Sequence, residues 1–238
     1  MRTQPPTRQT AFTLIELLVV VTIIGLLIAV LMPSISGALK SGKRKTVENN
    51  MRQLGTGFSM YANANGDLMP KPHGGTLKPA WSGVTSSLDT IWINAATGAL
   101  DARTAKEYAA LADKRPFYSS SSLFSASGAR YPGTKIATPE WAFGMNLNLQ
   151  ETDGSQMKIN SLSKVSSKVL FAEGGMAGEE KPQGYSAQVF AGNMAVESKN
   201  FVTRYNNIGC ISFIDGHVAG HSAKEGLDTA TTGIEWTP

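Results

Sequence analysis

Near the C-terminus, Asp215, His217 and His221 bring together a carboxylate and two imidazoles, side chains that bind divalent metals or move protons. A single thiol, Cys210, lies just upstream, and Asn63, Asn65 and Asp67 alternate oxygen donors in the manner of a calcium loop. Each set also has a simpler explanation. On a strand, His217 and His221 would share a face about 13 Å apart, too far for one ion unless the chain turns at Gly220. A hairpin turn already accounts for Asp215-Gly216. The asparagine set lacks the acidic count and the bidentate glutamate of an EF-hand, and Asn and Gly after a helix serve to terminate it. Cys210, in Ile208-Gly209-Cys210-Ile211, reads as a buried, inert thiol. The run Glu173-Gly174-Gly175-Met176-Ala177-Gly178 is followed by no Gly-Lys-Ser/Thr, and neither a nucleophile elbow nor paired carboxylates at a recognisable spacing occur. The sequence therefore assigns no catalytic residue and no cofactor. Asn63, Asn65 and Asp67, or His217 and His221, remain as candidates for a metal.

The chemical anomaly that remains is Glu16. It is the one charge in the 21 residues from Phe12 to Met32, a run that as a helix would span roughly 31 Å, about the hydrocarbon thickness of a bilayer. A carboxylate in hydrocarbon is expensive and is kept where a cation pairs with it, so Glu16 marks a function with a partner. Both flanks are basic: Arg2 and Arg8 before the run, and Lys40, Lys43, Arg44 and Lys45 after it, so charge asymmetry does not orient the segment. A cleaved signal peptide, with Ser36-Gly37-Ala38 as its processing site, is the competing reading. The run exceeds the ~7–15 apolar residues of a signal peptide and contains a carboxylate.

Arg8-Gln9-Thr10-Ala11 followed by Phe12-Thr13-Leu14-Ile15-Glu16 resembles the processing site of type IV prepilins and type II secretion pseudopilins. The resemblance implies cleavage between Ala11 and Phe12 by a prepilin peptidase/methyltransferase and N-methylation of Phe12. It makes Glu16 the fifth mature residue and puts Pro33 where these subunits often carry a helix-kinking proline. Family members usually have glycine where this chain has Ala11. The physics of Glu16 agrees with the resemblance: cleavage would create an amine at the same membrane depth, and the partner of Glu16 would be the Phe12 amine of a neighbouring subunit. Expected partners are thus the peptidase, other pilin-like subunits through the N-terminal helix, and the inner membrane with its assembly platform.

Beyond Pro33, Val47, Met51, Leu54, Phe58 and Tyr61 recur at spacings of 4, 3, 4 and 3, one apolar helix stripe opposite Lys45, Glu48, Arg52 and Gln53. One helix is expected from about 12 to 62, embedded over 12–32, amphipathic over 33–62, and stopped by Asn63, Asn65, Gly66 and Pro70. Residues 1–11 form a cytoplasmic leader and 63–238 an exported domain. That domain is loop-rich over 63–140 and β-rich over 141–221, and ends in a tail over 222–238. Strand-like runs include 141–145, Lys168–Ala172, Gln188-Val189-Phe190 and Ile208–Ile214, with Asp215-Gly216 as a type I′ hairpin.

Tyr61–Gly66, Phe143–Asn146, Arg204-Tyr205-Asn206-Asn207 and Phe213–Val218 look like a large prepilin-type group whose C-terminal signature is a histidine, nine residues, then Asp-Gly. Here Tyr205 stands in the histidine's place before Asp215, Gly216 and His217, so the signature is incomplete. The expected fold is α+β and pilin-like: a long N-terminal helix packed on a C-terminal antiparallel sheet, with a loop-rich middle.

The whole-chain composition sets limits of its own. The 238 residues are 42% hydrophobic and 17% charged, with a net charge of +4, and the cations beyond position 45 are scattered. No basic groove interleaved with aromatics appears, so no nucleic-acid partner is expected. One cysteine excludes an intramolecular disulfide and any cysteine zinc site. Two functions follow from different classes. One is a non-enzymatic filament subunit of a type IV pilus or type II secretion-like system, a single-pass inner-membrane protein with its C-terminal domain outside. The other is a signal-anchored exported enzyme or ligand-binding domain with a site around Asp215, His217 and His221.

Overall fold

The computed structural model describes residues 13–77, 79–85, 89–129, 131, 138–176, 195–227 and 232–238. They divide into two compact units, one ending at Leu39 and the other running from Lys40 to Pro238. Helix α1 (Leu14–Ala64), 51 residues long, contributes to both.

In the second unit the apolar stripe of α1 is the first wall of the core. Val47, Met51, Leu54 and Phe58 are all fully buried, and Tyr61, half-buried, accepts a hydrogen bond from Gln156 Nε2 at 3.1 Å. Glu48 departs from its expected place on the solvated face. It is 3% exposed and lies 3.1 Å from Arg44 Nε, 2.7 Å from Lys45 Nζ and 3.9 Å from Arg52. Three cations on its own helix compensate a carboxylate at the margin of the stripe.

A five-stranded sheet forms the other wall: β1 (Phe143–Asn146), β2 (Val169–Glu173), β3 (Ala195–Val196), β4 (Ile208–Phe213) and β5 (Val218–Ser222), in the order β3-β1-β2-β4-β5. The pairs β1·β2, β2·β4 and β4·β5 are antiparallel, while the two-residue β3 joins β1 in parallel and makes the sheet mixed. Both faces are covered. Leu170, Phe171 and Cys210 face the core shared with α1, whereas Val169, Ala172, Ile211 and Phe213 meet Phe201, Ile234 and Trp236. Burial on both sides explains why β2 and β4 read as continuous apolar runs rather than alternating ones.

Among its described residues the loop-rich middle contains three short α-helices, α2 (Trp81–Thr85), α3 (Trp92–Ala99) and α4 (Ala105–Ala110). Their anchor is aromatic: Trp92 meets Phe171 edge-on at 5.2 Å, and Phe117 stacks on Phe124 at 5.1 Å. Such isolated aromatics carry no period, so this contribution to the core is not visible as a pattern in the sequence. Helix α4 begins with a capping box in which Glu107 accepts the Thr104 N–H at 2.7 Å.

Residues 232–238 return to the sheet rather than trailing away. Glu235 exchanges backbone hydrogen bonds with Ser167 and Val169, and Ile234 and Trp236 are buried. Lys168, 1% exposed, reaches Glu235 at 3.2 Å and the Thr237 carbonyl at 2.8 Å. A final helix, α5 (Ala223–Leu227), follows β5 directly. The strand-like run at 188–190 lies outside the described residues.

Candidate processing and assembly segment

Thr13 and Glu16 open α1 with a capping box: Glu16 Oε2 accepts the Thr13 N–H at 2.9 Å and the Thr13 hydroxyl at 2.8 Å. The Thr-x-x-Glu spacing is a readable sequence signal that the charge argument alone overlooks. Within the single helix Glu16 thus has local donors but no cation among the described residues. Ala11, Phe12 and the leader lie outside those residues.

Every large apolar side chain from Leu14 to Leu39 is exposed, from 45% at Val20 to 83% at Leu14. Among the described residues, α1 is the helix long and apolar enough to cross a membrane. Two of its hydroxyls donate to the backbone, Thr22 to the Val19 carbonyl and Ser36 to the Pro33 carbonyl, each at 2.8 Å. This is the satisfaction that a lipid environment demands. Pro33 lies inside the helix, which continues past it although the proline cannot donate to the Ala29 carbonyl.

The C-terminal signature residues do structural work. Tyr205 and Ile208 exchange both backbone hydrogen bonds at 3.0 Å around Asn206 and Asn207, whose φ values are 51° and 63°. That is a type I′ turn. The Asp215-Gly216 turn is different: Gly216 alone is left-handed, at φ 90°, and donates to the Phe213 carbonyl at 3.0 Å, a three-residue hairpin loop closing on glycine. Tyr205 is 3% exposed, and burial drives its phenol pKa far up.

Beside it lies a pair the sequence did not announce. Glu173, fully buried, accepts Arg204 Nη1 at 2.9 Å and the Cys210 N–H at 2.8 Å, while Arg204 also donates to the Ala142 and Gly174 carbonyls. Burial pushes the Glu173 carboxyl above its usual range, against the opposing pull of Arg204 and the Cys210 N–H. The same burial, with Glu173 and Glu48 nearby, drives the Cys210 thiol well above neutral pH. A protonated, enclosed thiol is a poor nucleophile.

His217 sits in the turn before β5, its ring stacked on Phe213 at 4.2 Å and its Nδ1 held 2.6 Å from Asp215 Oδ1. His221 meets the edge of the same phenyl ring at 6.0 Å, and burial lowers its pKa. Asn65 and Asp67 finish α1: the Asn65 amide donates back to the Tyr61 carbonyl at 2.8 Å and the Asp67 N–H to the Ala62 carbonyl at 2.9 Å. Asn63 is exposed. Among the described residues no three His, Cys, Asp or Glu side chains converge as metal ligands.

Residues 6–32 match the family described as the prokaryotic N-terminal methylation motif, so the chain carries the prepilin-type signature. A long apolar N-terminal helix followed by a mixed sheet is a pilin-like α+β architecture, and together with the motif it supports a type IV pilin- or pseudopilin-like protein. No curated protein and no solved structure matches the chain.

Proposed function

We propose that the protein is a structural subunit of a type IV pilus or type II secretion-like filament. In this reading, prepilin peptidase cleaves between Ala11 and Phe12 and methylates the new amine. The subunit waits in the inner membrane with residues 33–238 outside, then joins a filament through α1 at the assembly platform. What carries the reading is a coincidence of position. The methylation motif at 6–32 ends on the apolar stretch of α1 that nothing in the described chain covers, and that stretch holds one carboxylate five residues after Ala11.

Glu16 supplies register. Its capping role needs only Thr13, and at the depth of Phe12 it also offers an oxygen to the ammonium of an adjacent copy. An incoming subunit is drawn to the depth at which its amine meets this carboxylate. Intact mass of the purified protein is expected to show a start at N-methyl-Phe12; a start near Leu39 or an uncut Met1 refutes the assignment. Glu16→Ala should insert normally and be absent from filaments, and normal filaments from that variant would refute the pairing.

A further inference from the structure

The basic flank after the apolar run is unused by processing or assembly. Along α1 from Leu17 to Ala64 the one acid is Glu48, and it is engaged by Arg44, Lys45 and Arg52. Lys40 and Lys43 are exposed and have no carboxylate partner among the described residues. At ~100° per residue, Lys40, Lys43 and Arg44 fall on the same helix azimuth as Met51, Leu54 and Phe58. The face that is core from Val47 onward is therefore basic in the two turns before it.

The axial position is as telling as the azimuth. If residues 12–32 fill the ~30 Å hydrocarbon layer, Lys40 lies about 12 Å past Met32 at 1.5 Å per residue. Each headgroup layer is roughly 5–8 Å deep, so the Lys40 stem can bend back and place its ammonium among the phosphates, while Lys43, about 16 Å past Met32, bends toward the same surface and acts on it within a Debye length of ~8 Å.

We propose that Lys40 and Lys43 form a docking surface for the headgroup phosphates of anionic phospholipids in the leaflet on the globular side. This surface holds the unassembled subunit at a fixed depth. The inference rests on the membrane-inserted reading above. An ammonium near an anionic bilayer surface gains attraction that a zwitterionic surface does not supply, about 5-fold in retention per lysine.

The test uses the full chain, reconstituted in phosphatidylcholine vesicles containing one quarter phosphatidylglycerol and then extracted in mild detergent. The lipids retained per protein are counted by native mass spectrometry. Wild type should retain phosphatidylglycerol over phosphatidylcholine, Lys40→Gln/Lys43→Gln should lose at least about 5-fold and at most about 25-fold of that preference, and Lys40→Arg/Lys43→Arg should keep it. An undiminished preference in the glutamine variant overturns the proposal. So does an inserted wild type with no preference whose lysines crosslink by carbodiimide to carboxylates of a second copy, which would make the occupant another subunit. Carbonate extraction separates the two levels: release of wild type from the vesicles sinks the membrane reading itself, whereas retention without lipid preference sinks only the lipid docking.

Discussion

Replacing Arg204 with methionine keeps much of the side chain's bulk and removes its charge. The structure then leaves the Glu173 carboxylate fully buried with the Cys210 N–H as its remaining donor among the described residues, and strips hydrogen bonds from the Ala142 and Gly174 carbonyls. Breaking a buried pair from one side costs about 3–5 kcal/mol. At roughly 2–4 °C per kcal/mol for a unit of this size, Tm should fall by about 6–20 °C. The loss has a pH signature. Glu173 has a raised pKa in the fold, so the native state holds the proton more tightly than the unfolded chain, and its charge weakens the fold as pH rises through that folded value. Without Arg204 the folded pKa rises further, because the guanidinium is what opposes burial. The penalty in Arg204→Met should therefore be largest near pH 8 and shrink as the pH falls and Glu173 takes up a proton. Adding Glu173→Gln should recover a large part of the loss near pH 8. Trp81, Trp92, Trp141 and Trp236, all buried, report unfolding of the full chain in detergent by fluorescence. A loss under about 1 kcal/mol, or one that does not change with pH, would refute the assignment of a stabilising charge pair.

Gly57→Ala should destabilise by about 1–3 kcal/mol in thermal unfolding, because a Cβ there collides with the backbone carbonyl of Ala96 as well as with Leu100 Cγ, and the backbone cannot step aside as a side-chain tip can. A chain ending at residue 231 should unfold at markedly lower denaturant concentration than the full chain. It loses the buried Ile234 and Trp236 and leaves the ammonium of Lys168, 1% exposed, without Glu235 or the Thr237 carbonyl.

The apolar segment, its lone carboxylate, the methylation motif and the amphipathic stripe from Val47 to Phe58 are legible in order along the chain. Each is written in contiguous or helically spaced residues, and helix formation needs no distant partner to reveal them. The strand runs 168–172 and 208–214 are legible for the same reason, being short, β-rich and almost wholly apolar. The turn chemistry is only half legible. Asn206-Asn207 takes the type I′ geometry expected at Asp215-Gly216, since a turn's type depends on the register of the strands it joins as much as on its own residues.

The tertiary structure alone decided which polar groups are interior. Glu173 and Arg204 lie 31 positions apart, Lys168 and Glu235 lie 67 apart, and nothing local marks any of them as buried. Glu48 looks like a solvated residue until the domain closes over the edge of the stripe. The sequence by itself determined a long apolar helix with one chemically special residue, because hydrophobic length and a charge within it are properties of a single segment. How the globular unit compensates its buried charges, and how residues 232–238 seal the far face of the sheet, came only from long-range packing, because a charge's environment belongs to its neighbours in space.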